Sequence, residues 1–383
     1  MSKTLQLLGG LTVKQFLDEY WQKKPLLIRN AIPDFQSPLS ADELAGLACE
    51  DEVESRLILE KDGPTPWSVE HGPFDETRFL SLPESHWTLL VQGVNTWVPE
   101  VAELIEPFRF IPDWRIDDIM ISYAPKHGSV GPHLDQYDVF LIQAEGHRHW
   151  QINTQAYSKE DCIPDISLSI LKNFESDQEW TLAPGDMLYL PPNVAHYGVA
   201  QDDCITYSLG FRAPAESELI SSFIDDLLPQ YNETHRYNDG DLQQQVNPGE
   251  ISPQALNKIQ NHIRLDNISD ETINHWFGRY ITEPKNPLSE ENEHSYTEHD
   301  LEHLLSQNSS IYRHPISRFA YIKIDNGCVL FTNGEEYSAT CELASYLCAS
   351  FDYSAKYLVK LISNPITRSV LTELINKNLI VCE

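Results

Sequence analysis

His133 and Asp135 stand two residues apart in GPHLDQYDVFLIQAEGHRHWQI, residues 131–152. On a strand, alternate side chains share a face, so this spacing directs an imidazole and a carboxylate at one point. A third ligand comes from PGDMLYLPPNVAH, residues 184–196. There, Pro184-Gly185-Asp186 reads as a turn, MLYL as a strand and Pro191-Pro192 as its stop, with His196 opening the next strand. Two imidazoles and one carboxylate form the facial set of non-haem Fe(II) oxygenases. That set leaves three positions open for a bidentate cosubstrate and O2. Zinc is better served by thiolate or a third imidazole, and magnesium by more oxygens. An H-x-D alone is common by chance; followed by P-G-D and P-P-x-x-x-H it is much more specific.

Such a centre needs a cation for the distal carboxylate of 2-oxoglutarate. Arg148 lies on the strand HRHW after the Glu145-Gly146 turn, and a guanidinium pairs bidentately with a carboxylate. Ser122, on the preceding strand IMISY, is a candidate donor to the same group, and Ser208 on TYSLGF is a weaker one. His147 and His149 share the face opposite Arg148, so either is an alternative metal ligand.

These residues require a β scaffold. From 88 to 213, short β-rich runs alternate with Gly, Pro and acidic turns, which predicts a sandwich or jelly roll. Before it, LTVKQFLDEYW (11–21) has helical spacing with Thr12 as N-cap; LLIRN reads as a strand and 41–50 as a helix. After Pro214, helices are predicted over 216–228, 253–265 and 269–281, then a polar linker over 282–298. The last segment mixes tight-turn dipeptides, Asn326-Gly327 and Asn333-Gly334, with helical runs at 341–350 and 355–363. That order suits a small α+β domain of winged-helix type.

Composition narrows the class. The 383 residues suggest two or three domains, and 17 Tyr, 14 Phe and 8 Trp are ample for packed cores. With 58 acidic and 27 basic residues the net charge is -31. This argues against direct nucleic-acid recognition and fits attraction of basic partners. Seven cysteines, none spaced C-x-x-C, predict neither a disulfide framework nor a thiolate zinc site, and free thiols point to a reducing compartment. The opening Met1-Ser2-Lys3-Thr4 has no apolar signal region, and no apolar run reaches membrane-span length. A cytoplasmic protein is expected.

FLDEYWQKKPLLIR (16–29), DWRIDDIMIS (113–122), GPHLDQYDVF (131–140) and YSLGFRAP (207–214) together resemble the bacterial ribosomal oxygenases of the jumonji-C (JmjC) superfamily. The resemblance is nearest to the arginine hydroxylases that act on the sixteenth protein of the large subunit. It runs through nearly the whole chain and is strongest over 11–214. It implies a mainly β core, a double-stranded β-helix or jelly roll of the cupin type, over 1–214. A helical dimerisation region over 215–285 and a winged-helix-like domain over 286–383, serving interaction and not DNA reading, would follow. It further implies Fe(II), with 2-oxoglutarate and O2 as cosubstrates, a homodimer, and a basic ribosomal protein as substrate. At the matching positions His133, Asp135 and His196 would be the iron ligands, and Arg148 with Ser122 the anchor of 2-oxoglutarate.

Strand parity adds candidate substrate contacts. If Ser122 faces the pocket, so do Met120 and Asp118; if His133 and Asp135 face inward, so does Tyr137. A carboxylate and a phenol there suit a guanidinium. Histidine hydroxylation is the competing reading, followed by methyl-lysine demethylation and by a silent cupin that only binds a partner. An intact triad together with Arg148 argues against the silent module.

Overall fold

The computed structural model describes residues 4–383 apart from 62–65, 156, 158–160, 165–168, 232–235, 243, 245–250, 264–267, 286–294 and 308–309. The chain divides into two compact units, Met1–Ala213 and Pro214–Glu383.

The first unit opens on helix α1 (Val13–Glu19), capped as expected by Thr12. Thr12 Oγ1 accepts from the Gln15 N–H at 3.2 Å, and Gln15 Oε1 accepts from the Thr12 N–H at 2.9 Å. This reciprocal box fixes the helix start. Strand β1 (Leu26–Ile28) and helix α2 (Ala41–Leu47) follow, as read from sequence. Then come β2 (Ser55–Glu60), β3 (Trp67–His71), α3 (Glu76–Leu80), β4 (Trp87–Val91) and α4 (Pro99–Glu103). The β-rich stretch forms β5 (Ile116–Ala124), β6 (Val139–Glu145), β7 (Arg148–Asn153), β8 (Gln178–Leu182), β9 (Met187–Leu190), β10 (Ala195–Ala200) and β11 (Cys204–Phe211).

These strands make an eight-stranded sheet, β1-β9-β6-β11-β5-β4-β2-β3, and a three-stranded sheet, β10-β7-β8, antiparallel throughout. Period-2 alternation splits each strand between two environments. On β5, Ile119 and Ile121 enter the main apolar core, while Asp118, Met120 and Ser122 line a cavity. On β6, Phe140 and Ile142 take the core side, with Val139 and Leu141 on the cavity side; on β11, Tyr207 and Leu209 oppose Ser208 and Gly210. The core side is locked by aromatics: Phe16 of α1 meets Tyr189 at 5.0 Å between ring centroids, and Phe140 meets Tyr189 at 4.9 Å. Each fully buried side chain of this size stabilises by about 1.5–3 kcal/mol, so the cavity wall has a firm backing.

The Pro184-Gly185-Asp186 turn joins β8 to β9. Gly185 has φ +86°, and a Cβ there would lie 2.6 Å from the Ile32 carbonyl oxygen, so the position demands glycine. The buried Asp186 carboxylate accepts from the N–H groups of Asn30 (2.9 Å) and Ala183 (3.1 Å) and from Arg29 Nη1. Burial pulls its pKa upward, but these bonds outweigh burial and hold it below the usual carboxylate range. Asp186→Asn is therefore expected to cost about 1.5–3 kcal/mol at pH 7. Because the folded pKa is depressed, that contribution is complete above the unfolded value of about 4 and fades as pH falls through the folded value. Urea melts of both proteins should show the gap at pH 7 shrinking toward pH 3; a pH-independent gap would contradict this.

The second unit contains α5 (Glu216–Leu227), α6 (Pro253–Ile263) and α7 (Asp270–Thr282), matching the three expected helices, although residues 264–265 lie outside the described residues. Most of the expected linker, 286–294, also lies outside them. Beyond it are α8 (Leu301–Gln307), β12 (Ile311–Arg313), β13 (Phe319–Ile324), β14 (Gly327–Thr332), β15 (Glu335–Ala339), α9 (Cys341–Ala349), α10 (Ala355–Leu361), α11 (Pro365–Asn376) and β16 (Ile380–Cys382). Asn333-Gly334 forms the β14–β15 turn as expected, both residues at positive φ. The β13–β14 turn falls one residue earlier than expected. Ile324 pairs with Gly327, so Asp325-Asn326 make the loop.

One expectation is corrected outright. Cys328 and Cys341 form a disulfide with Cα atoms 5.0 Å apart, while Cys49, Cys162, Cys204, Cys348 and Cys382 are free. The pairing depends on register. Cys328 sits opposite Ala339, and α9 begins two residues later, so cysteines thirteen residues apart meet through a hairpin that spacing alone does not reveal. Among the described residues no helix is long and apolar enough to cross a membrane.

Candidate metal and cosubstrate site

His133, Asp135 and His196 come together as the sequence predicts, each offering a ligand atom within 4.8 Å of the others. The local structure differs from the expected strand. His133 lies in an extended segment held by isolated bridges to His196 and Ile170, and Asp135 lies in the loop beyond it. The reason is a double backbone clamp. The His133 N–H donates to the His196 carbonyl at 2.9 Å, and the His196 N–H returns to the His133 carbonyl at 3.0 Å. The Asn193 N–H donates to the Asp135 carbonyl at 2.8 Å. Downstream, the fully buried Asp138 accepts from Tyr189 Oη at 2.6 Å, Gln22 Nε2 at 2.9 Å and Arg115 Nη2 at 3.4 Å, pinning the loop's exit.

Both imidazoles are oriented from behind. A carbonyl only accepts, so His133 Nδ1–H donates to Gly131 O at 2.9 Å and His196 Nδ1–H to Val194 O at 3.0 Å. This leaves both Nε2 lone pairs toward Asp135, whose Oδ2 is 4.0 Å from His133 Nε2 and 3.6 Å from His196 Nε2. Fixing the tautomer through the second nitrogen is how proteins present histidine to a metal. Burial, then the neighbouring His133, pushes His196 down to about 4, so near neutral pH it is the uncharged form that binds cations.

A cavity of about 330 Å³ opens from this cluster, lined by Asp118, Ser122, Tyr137, Arg148 and Ser208 as well as the three ligand residues. Arg148 is buried, and its Nη1 donates to Ser122 Oγ at 3.4 Å. Its Nε and Nη2 are buried without a hydrogen-bond partner among the described residues. A buried guanidinium with unused donors is costly unless an anion completes it. The donor set and this cation together therefore fit a redox metal and a dicarboxylate. His147 and His149 do not join the cluster. His147 Nδ1 meets Asp202 Oδ2 at 2.8 Å and His149 Nε2 lies 3.6 Å from Glu179 Oε2, and neither is among the residues that line the cavity. Among the described residues the ligand cluster is His133, Asp135 and His196 without either of them.

Asp118 is buried, and both its oxygens accept from Gln92 Nε2, at 2.9 and 3.0 Å. Tyr137 remains partly exposed and packs over Gly210, where a Cβ would lie 3.8 Å from its ring. Burial first, then Asp135 and Asp118, pushes the Tyr137 phenol well above its usual pKa, so it remains an O–H donor.

Among the residues that line the cavity, sequence reasoning did not single out Arg56, Gln92 or Trp150. Trp150 was within reach, since it shares the β7 face of Arg148. Its ring lies 5.9 Å from His196 and 5.6 Å from the Arg148 guanidinium, against Gly198, where a Cβ would come within 2.7 Å of the indole. Arg56 comes from β2 and Gln92 from the residue just after β4, and nothing local announces them.

Comparison with known proteins agrees with this geometry. Residues 103–219 match the JmjC domain family and 257–380 the ROXA-like winged helix family. The chain is 43% identical over 274 residues to the ribosomal protein uL16 3-hydroxylase of Escherichia coli (strain K12), covering 71% of this chain and 72% of that protein. The X-ray structure of E. coli YcfD superposes with a TM-score of 0.85 at 34% identity, covering 100% of both chains. The structure of that ribosomal oxygenase in complex with cobalt and 2-oxoglutarate gives 0.81 at 34% identity, over 97% of this chain and 98% of that one. With a cupin-type β core, a winged-helix domain and a His-Asp-His cluster beside a buried arginine, the chain belongs to the JmjC-type, 2-oxoglutarate-dependent ribosomal oxygenases.

Proposed function

We propose that the chain hydroxylates an arginine side chain of uL16, the sixteenth large-subunit ribosomal protein. In this reading His133, Asp135 and His196 hold Fe(II), Arg148 with Ser122 and Ser208 binds 2-oxoglutarate, and Asp118 and Tyr137 receive the arginine. The observation that carries it is one cavity holding a metal-ligand cluster, a buried guanidinium with two unused donors and an oriented carboxylate. When bound, iron with 2-oxoglutarate and O2 supplies the oxidation of an unactivated C–H bond, releasing succinate and carbon dioxide.

The chain's own residues do the positioning. The Gly131 and Val194 carbonyls hold the two imidazoles in the tautomer that offers Nε2. Leu90, Met120, Val139 and Leu141 give the cavity apolar walls that exclude water. Asp118 supplies the countercharge for a cation, and Tyr137 an aromatic face and a donor. The net charge of -31 favours encounter with a basic protein and argues against a nucleic-acid role.

The test is a panel of matched uL16 peptides carrying arginine, histidine or methyl-lysine at the target position, read by mass spectrometry. One added oxygen is expected on the arginine peptide, and Asp118→Ala should depress peptide oxidation more than peptide-independent 2-oxoglutarate turnover. Oxidation of the histidine peptide alone would replace the arginine assignment, and loss of a methyl from lysine would move the enzyme to demethylation.

The same reading makes 1–214 the catalytic domain, 215–285 a dimerisation region and 286–383 a winged-helix-like interaction module of a cytoplasmic homodimer. Its support is an apolar stripe on α6, where Leu256, Ile259 and Ile263 are 47%, 44% and 70% exposed. An uncovered stripe at helical spacing calls for a second surface, and a second copy is the simplest one. Sedimentation at micromolar concentration should give twice the 43.8 kDa chain mass; a monomer would remove this assignment.

A further inference from the structure

We propose that Gln92, oriented by Arg56, is a specificity-determining positioning residue that fixes the Asp118 carboxylate as an acceptor for a cationic substrate side chain. This rests on the reading of Asp118 as the substrate's countercharge. Gln92 follows β4, and its N–H donates to the Glu54 carbonyl at 2.9 Å, so its backbone is tied to the start of β2. Gly93, at φ +63°, turns the chain back over β5, and Asn95 Oδ1 then accepts from the Ile119 N–H at 2.8 Å. The segment 92–95 thus grips β5 beside Asp118, by side chain and by backbone.

The amide orientation is dictated by chemistry. A carboxylate only accepts, so the Gln92 nitrogen must face Asp118, and a guanidinium only donates, so Gln92 Oε1 must face Arg56 Nη2, 3.3 Å away. With one nitrogen reaching both Asp118 oxygens, the carboxylate cannot rotate freely. All three side chains line the cavity. Because Gln92 bridges the two oxygens, a substrate donor meets an outer lone pair of a carboxylate whose orientation is already fixed. That bond is charge-assisted from both sides for a guanidinium and is not for a neutral urea. The substrate class favoured is therefore cationic arginine over neutral citrulline.

The experiment compares native protein, Gln92→Met, Asp118→Asn and the double variant on peptides carrying arginine, lysine or citrulline. Gln92→Met is expected to raise KM for the arginine peptide about ten-fold, because an Asp118 carboxylate left free to rotate must be ordered on binding. The preference for arginine over citrulline should fall by the same factor, with a much smaller change in KM for 2-oxoglutarate. In the Asp118→Asn background, adding Gln92→Met should change little, because the two act as a unit. Gln92→Glu, which sets carboxylate against carboxylate, is a second variant should the first not fold, and is expected to raise the same KM. A native KM for the arginine peptide in the folded variant, or a full additional loss in the double variant, overturns the inference. If Asp118→Asn itself oxidises the arginine peptide as the native protein does, the underlying reading of Asp118 falls. A loss at Asp118 with none at Gln92 removes only the role of Gln92.

Discussion

Replacing any one of His133, Asp135 or His196 with alanine is expected to bring peptide hydroxylation down to background while the far-UV spectrum stays native. Three donors converge within 4.8 Å, and losing one leaves two, too few to hold a divalent ion with a defined open face. The three variants should differ in stability. His196 is buried against Trp150, so its removal leaves a void and costs on the order of 2–3 kcal/mol. Asp135 is partly exposed, with a backbone carbonyl already held by Asn193, so Asp135→Ala should melt close to native. Chelation should abolish turnover of the native protein and Fe(II) restore it, whereas Zn(II), which has no redox chemistry, should not. The paired measurements are product mass and thermal melting. A folded alanine variant with native hydroxylation would strike that residue from the ligand set.

Arg148→Met should act in opposite directions on stability and on cosubstrate binding. Arg148 Nε and Nη2 are buried without a hydrogen-bond partner among the described residues, so an apolar side chain of similar length removes an uncompensated charge. The variant is expected to melt at or above the native temperature. Its KM for 2-oxoglutarate should nevertheless rise by roughly ten- to a hundred-fold, since a charge-assisted bond of about 1.5–3 kcal/mol is lost. The native protein should gain about 2.7 kcal/mol of stability at a 2-oxoglutarate concentration of 100 Kd, and the variant almost none at that same concentration. Thermal melts with and without 2-oxoglutarate, alongside initial rates, give both halves. An unchanged KM would place the anchor elsewhere in the cavity.

The chemistry of the site was legible in the sequence wherever it depends on residue type and short spacing. H-x-D, P-G-D and P-P-x-x-x-H are local, and period-2 parity carries over a few residues. His133, Asp135 and His196 therefore pointed at one metal, and Arg148, Ser122, Ser208, Asp118 and Tyr137 at one cavity. Parity also told His147 and His149 from Arg148, although the sequence left them open as ligands until β7 was paired with β8 and β10.

Tertiary structure alone decided what depends on which strands pair and in what register. Gln92 and Arg56 reach Asp118 only because β4 lies between β2 and β5. Cys328 meets Cys341 only because β14 pairs with β15 in a register that sets Ala339 opposite Cys328. The His133 segment forgoes a regular ladder because His196, 63 residues away, takes its backbone hydrogen bonds. Side-chain periodicity is a property of neighbours along the chain, whereas strand pairing is fixed by the burial of whole faces. A sequence therefore names the chemistry before it can name the partners that orient it.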